Sequence, residues 1–186
     1  MMLQNINKYN QDERSENGRK YTGLLRQWKR KAALGLGIRA AGVGKQVIMV
    51  QFLKKKHSDT LDFLKKLEPE LQIFRFEKAA CGYSDLSPKE KQEQMLNIKN
   101  ALGYSRKVLD TGQCDLLILD EIFGLVDYNI ITIEELMDLI AVKKDSMDLI
   151  LTGRNLPDEV REIADCVYSI QREKEKTPEI LAQGNF

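Results

Sequence analysis

Cysteine, histidine and proline are all scarce in this chain of 186 residues, and the shortages of the first two remove whole classes of function. The three cysteines, Cys81, Cys114 and Cys166, are odd in number and widely spaced, which fits reduced thiols and argues against a disulfide framework or a zinc knuckle. The single histidine, His57, follows Lys54, Lys55 and Lys56. It leaves no second imidazole for a two-histidine zinc motif and makes a Ser-His-Asp triad rest on one loop residue. No apolar run approaches the roughly 20 residues that cross a bilayer, and the polar stretch from Met1 to Lys20 has no signal-peptide core. The expected location is therefore cytoplasmic, with no membrane partner. Charge of one sign is lacking too: Lys+Arg 29 against Asp+Glu 28 leaves +1. No global field draws in nucleic acid, so an anionic ligand must be held locally.

What remains is a globular composition, 42% hydrophobic and 31% charged, in a length suited to one domain. The first twenty residues carry no apolar period and read as a disordered arm. Beyond them helices and strands alternate. Ala32 to Ala41 reads as a helix ended by Gly42 and Gly44, Val47 to Leu53 as a buried strand, Ser58 to Leu67 as a short helix and Leu71 to Phe76 as a strand. A long helix follows from Pro88 to Leu109, then the most strand-like segment, Asp115 to Asp120. Thr132 opens a helix through Ala141, with Glu135 completing a capping box. Leu149 to Thr152 reads as a strand, Pro157 to Ala164 as a helix and Cys166 to Ile170 as a strand; residues 171–186 form a charged tail. Continuous apolar strands between helices predict an α/β fold, a mostly parallel sheet flanked by helices. A flavodoxin-like sheet is the alternative, but it gives no reason for the acidic pair that follows.

That pair is Asp120-Glu121, two carboxylates directly after Leu116-Leu117-Ile118-Leu119. In an open parallel sheet this is the carboxyl end of a strand, where ligands bind, and hard carboxylate oxygens there suit Mg²⁺ beside a polyphosphate. The plainer reading is an acidic helix cap. Thr152-Gly153-Arg154-Asn155 lies at another strand end, where Arg154 can neutralise phosphate or sit in a surface turn. Gly82-Tyr83-Ser84 occupies a loop suited to a lid or an ordinary turn. Gly42-Val43-Gly44-Lys45 precedes a strand instead of a helix and reads as a simple turn, and Gly23 to Lys31 is too bulky for a glycine-rich phosphate loop.

Taken in order, Ala32-Ala33-Leu34-Gly35-Leu36-Gly37-Ile38-Arg39-Ala40-Ala41-Gly42, Val50-Gln51-Phe52-Leu53, Leu119-Asp120-Glu121, Leu151-Thr152-Gly153-Arg154-Asn155 and Ala164-Asp165 resemble the ATP:corrinoid adenosyltransferases, the cob(I)yrinic acid a,c-diamide adenosyltransferase family. The resemblance spans roughly residues 32 to 170. It implies a phosphate-loop NTPase-like fold, often dimeric, that transfers the 5′-deoxyadenosyl group of ATP to Co(I) of a corrinoid and releases triphosphate with Mg²⁺ present. It further implies metal-site acids at Asp120 and Glu121, ATP contacts at Lys29, Thr152, Gly153 and Arg154, and a corrinoid contact at Tyr83. The aromatic expected shortly after Tyr83 is absent, Asp85 standing close by. The family's C-terminal elements survive only as Lys176-Thr177-Pro178 and Gly184-Asn185-Phe186.

The expected organisation is an arm at 1–31 with a degraded first strand and phosphate loop, an adenosyltransferase-like domain at 32–170, and a tail at 171–186. Counting back from Ala32, Lys29 and Arg30 stand at the family's phosphate-loop lysine and metal-binding threonine without their glycine neighbours. A one-base shift across Trp28-Lys29 must read GGA, glycine, and Arg19 to Lys31 so shifted can read Glu-Asn-Ile-Gln-Val-Tyr-Tyr-Gly-Asn-Gly-Lys-Gly-Lys. Residues up to about Lys31 are therefore expected to be written in the wrong frame, with divergence as the alternative. The chain as written would lack the first strand and its phosphate cradle. A catalytically impaired relative that binds corrinoid or a partner enzyme, and an unrelated phosphate-loop ATPase, are the competing functions.

Overall fold

The computed structural model describes residues 3–6, 31–53, 64–76 and 83–170. Their strands are β1 (Leu3–Ile6), β2 (Val47–Gln51), β3 (Leu71–Arg75), β4 (Leu116–Asp120), β5 (Asp148–Thr152) and β6 (Cys166–Tyr168). They form one six-stranded sheet in the order β3-β2-β4-β5-β1-β6, and every pair is parallel. The helices are α1 (residues 31–42), α2 (Pro88–Thr111), α3 (Phe123–Asp127), α4 (Ile133–Ala141) and α5 (Asp158–Ile163).

Side chains alternate across the sheet and sort into two cores. Ile48, Val50, Leu117, Leu119, Leu149 and Leu151 face α2, α3, α4 and α5. Val47, Met49, Leu71, Leu116, Ile118 and Ile150 face α1 through Ala33. Burial on both faces explains why the strands read as unbroken apolar runs. A Cβ added at Gly37 would lie 3.0 Å from Ile118 Cδ1, so α1 packs close to β4 because it has no side chain there. α1 runs antiparallel to the strands, as a connection between parallel strands requires, and ends at the amino edge of the sheet. There Gly44 N donates to Ala41 O at 2.9 Å and Lys45 Nζ pairs with Asp148 Oδ2 at 3.1 Å. Gly42-Val43-Gly44-Lys45 is thus the plain turn expected, on the edge opposite the acidic pair.

The capping box of α4 is present: Glu135 N donates to Thr132 Oγ1 at 3.2 Å and Thr132 N to Glu135 Oε2 at 2.8 Å. Ser87 and Glu90 cap α2 in the same way. α3 was not foreseen; at five residues it is too short to show a period. Of the helix expected from Ser58, the described part is a 3₁₀ turn, Leu64–Leu67. Residues 58–63, His57, Lys54 to Lys56, Lys29, Cys81, Gly82 and the tail at 171–186 lie outside the described residues.

The reading of residues 1–20 as an arm is corrected at Leu3–Ile6. This segment is an interior strand, paired with β5 in the register Asn5↔Leu151 and with β6 in the register Asn5↔Val167. The expectation that the chain as written lacks a first strand is corrected with it. A slot between two strands offers hydrogen-bonding partners on both sides, and these compensate for the weak apolar pattern of Leu-Gln-Asn-Ile.

Cys114 and Cys166 are free thiols, as the cysteine count implied. Burial, aided by the Asp115 charge, pushes the Cys114 thiol up to about 12, against backbone hydrogen bonds involving Ile48 and Leu116 that lower it. Iodoacetamide at pH 8 should therefore alkylate Cys166 well before Cys114, read by mass spectrometry; equal rates would contradict the packing around Cys114. Asn5→Pro should lower unfolding free energy by about 3 kcal/mol, since proline in an interior strand removes a ladder donor. Urea denaturation checks this, and an unchanged midpoint would place Leu3–Ile6 outside the sheet.

Candidate functional site at the carboxyl edge

Asp120 ends β4 and Thr152 ends β5. Leu119 pairs with Leu151, so the next residues, Asp120 and Thr152, come side by side. Both are 1% exposed. The Thr152 hydroxyl donates to Asp120 Oδ1 at 2.9 Å and accepts from Glu121 N at 2.9 Å. One hydroxyl therefore fixes both the carboxylate and the start of the turn behind it. Glu121, 6% exposed, sits in the left-handed region with φ 65°. Such a conformation in a non-glycine residue costs on the order of 1–3 kcal/mol and clusters at functional positions.

On the other side of β4, Gln51 stands in register with Asp120 and Arg75 in register with Gln51. Gln51 Nε2 donates to Asp120 Oδ2 at 3.1 Å, and Arg75 Nε donates to Gln51 Oε1 at 2.6 Å. A polar chain thus crosses the ends of β3, β2, β4 and β5, on the sheet face covered by α1. Sequence reading missed Gln51 and Arg75 as site residues. The available signal was a polar residue closing each of two apolar runs, Val47-Ile48-Met49-Val50-Gln51 and Leu71-Gln72-Ile73-Phe74-Arg75.

The loop after β5 is pinned to α3. A Cβ on Gly153 would fall 2.4 Å from Phe123 Cβ, so glycine is required for this close approach. Asn155 Nδ2 donates to Asp127 Oδ1 at 2.9 Å. Arg154, between them, is exposed. Tyr83 lies in the 3₁₀ turn Tyr83–Asp85; its ring is 5.3 Å from that of Tyr128, which follows α3, and Lys91 Nζ lies 5.8 Å from its centroid. Tyr128 was also missed, because only the fold brings it beside Tyr83. The structure therefore gathers Asp120, Glu121, Thr152 and Gly153 at one edge with Arg154 on the adjoining loop, and joins Tyr83 to that loop through Tyr128 and α3.

Among the described residues no group of three or more His, Cys, Asp or Glu side chains could by itself hold a metal ion. The donor set nonetheless fits Mg²⁺ carried by a nucleotide, which takes one or two carboxylates plus phosphate oxygens and waters.

A parallel sheet covered on both faces, with an acidic pair at a strand end, is consistent with the phosphate-loop NTPase-like class. The chain belongs to the ATP:corrinoid adenosyltransferase family BtuR/CobO/CobP, which residues 21–183 match. The match starts upstream of Ala32 and ends within the C-terminal tail, a wider span than the motifs delimit. Corrinoid adenosyltransferase of Escherichia coli (strain K12) is 27% identical over 143 residues, 77% of this chain and 70% of that protein. Corrinoid adenosyltransferase CobA of Salmonella typhimurium is 26% identical over 143 residues, with the same shares of 77% and 70%.

Thr152→Val should lower unfolding free energy by about 2 kcal/mol, because it leaves Asp120 and Glu121 N each short of a buried partner. Thr152→Ser, which keeps the hydroxyl, should recover most of this in urea denaturation; a Thr152→Val chain as stable as the parent would mean that the hydroxyl contributes nothing to the edge.

Proposed function

We propose that this chain transfers the 5′-deoxyadenosyl group of ATP to Co(I) of a corrinoid in cobalamin biosynthesis or salvage, with cob(I)yrinic acid a,c-diamide as the corrinoid implied by the family. The observation that carries the reading is the Asp120-Glu121 pair at the carboxyl edge of β4 in a chain of this family. In the reaction, the Co(I) electron pair attacks C5′ of ATP, the Co–C bond forms as the C5′–O bond breaks, and triphosphate leaves. The nucleophile belongs to the substrate, so the protein's task is to orient ATP and the corrinoid and to hold charge.

Asp120 and Glu121 would hold Mg²⁺, which when bound neutralises charge on the triphosphate leaving group. Thr152 acts on ATP through Asp120 and the turn at Glu121, since its hydroxyl donates to the Asp120 carboxylate and accepts from Glu121 N. Gly153 keeps the strand-end loop against α3, Arg154 offers its guanidinium to phosphate from that loop, and Lys29 supplies a second cation ahead of α1. Tyr83, braced by Tyr128, packs against the corrinoid face. A homodimer and a cytoplasmic setting belong to the same reading. No described helix is long and apolar enough to cross a membrane.

The bulky Gly23 to Lys31 stretch favours a second reading, a relative that binds corrinoid or a partner enzyme without turnover. The test is anaerobic: protein, Co(I) corrinoid, ATP and Mg²⁺ should show loss of the Co(I) spectrum and gain of a light-sensitive Co–C product. Corrinoid binding without product would favour the second reading, and phosphate release without corrinoid an ATPase. Glu121→Gln should weaken Mg·ATP about tenfold or more, the scale of losses around metal sites, and leave corrinoid affinity unchanged. Unchanged Mg·ATP affinity would make the acids structural. The proposed frame shift before Ala32 is decided by the gene: codons unable to yield Gly-Asn-Gly-Lys-Gly-Lys in the shifted frame assign the stretch to divergence.

A further inference from the structure

We infer that Arg75 is a positioning residue for Asp120, acting through the side-chain amide of Gln51. The inference rests on the proposed function in taking Asp120 as a metal-side acid. Gln51 is 2% exposed, and its amide lies between two groups of opposite character. A guanidinium has only donors and an ionised carboxylate has only acceptors. Arg75 Nε therefore takes Gln51 Oε1, at 2.6 Å, and this leaves Nε2 for Asp120 Oδ2, at 3.1 Å. The reversed amide would set Oε1 against the carboxylate and its N–H groups against the guanidinium, two repulsive contacts in a buried place. Arg75 thus dictates which end of Gln51 the acid meets.

The consequence is a carboxylate gripped from both neighbouring strands. Thr152 holds Oδ1 from β5 and Gln51 holds Oδ2 from β2, so the plane of the carboxyl group is set before any cation arrives. Preorganisation of this kind removes an ordering cost from metal uptake. Arg75 is two strands away from Asp120 in the sheet order.

The test uses the full chain and four substitutions, one of them Asp120→Asn. Arg75→Met removes the donor, Arg75→Lys keeps one, and Gln51→Leu cuts the chain between Arg75 and Asp120. Urea unfolding of Arg75→Met, Asp120→Asn and the double variant should give a coupling of about tenfold in the unfolding equilibrium constant, in the range found for residues of one network. The same cycle built on Gln51→Leu should give almost none. In ¹⁵N NMR the Gln51 side-chain NH₂ pair should lie away from free-glutamine positions and exchange slowly with water in the parent and in Arg75→Lys, and should move toward free-glutamine positions and exchange faster in Arg75→Met. The Mg²⁺ concentration for half-maximal ATP binding should rise about tenfold in Arg75→Met, return in Arg75→Lys, and be accompanied by unchanged corrinoid affinity. Coupling that persists without Gln51, or an amide signature indifferent to Arg75, overturns the inference. So does an unmoved Mg²⁺ midpoint, because a merely structural arginine would lower stability alone. If the parent chain takes up no Mg·ATP, the adenosyltransfer reading falls, and the coupling and the amide signature still decide the role of Arg75.

Discussion

The register of four parallel strands is the constraint on which the carboxyl edge depends. Arg75, Gln51 and Asp120 are consecutive partners across β3, β2 and β4, and Thr152 follows one residue beyond the Leu119↔Leu151 pair. Side chains alternate with period two, so a slip of one residue in any of these strands would turn its polar end to the opposite face. The apolar residues below prevent this: Val47, Met49, Leu71, Leu116, Ile118 and Ile150 must stay in the core beneath α1. The burial that stabilises the sheet also aligns its polar tips. A site built this way needs few residues of its own.

The two edges of the sheet are finished differently. At the amino edge charges are neutralised locally, Lys45 pairing with Asp148 and the Asp115 carboxylate accepting from Gln46 N at 2.7 Å. At the carboxyl edge the Asp120 carboxylate accepts from the Thr152 hydroxyl and the Gln51 amide, and Glu121 N donates to the same hydroxyl. The first edge closes the fold, and the second keeps anionic groups ordered at the strand ends, where ligands bind in open α/β sheets.

Most of this was legible because long apolar runs and capping signals are local. The strands β2 to β6, the helices α1, α2, α4 and α5, and the box at Thr132 and Glu135 all follow from residues a few positions apart. Asp120 and Glu121 stood out for the same reason, two carboxylates after four apolar residues. The bridging roles of Gln51, Arg75 and Tyr128 were not legible. Each depends on a neighbour supplied by another element, and nothing in a single run reveals which strand lies beside it. Leu3–Ile6 was hidden by its polar interior positions, Gln4 and Asn5, which give no apolar alternation. Its place between β5 and β6 comes from the sheet around it.

The left-handed backbone at Glu121 sets folding and chemistry in opposition at one position. A glycine would take φ 65° without strain, so any selection for robustness alone would drift toward losing the second carboxylate. Laboratory evolution for heat resistance, or a redesign that rewards relaxed backbone, would make that exchange unless function were screened alongside. Judged by folding alone, the position favours glycine over glutamate.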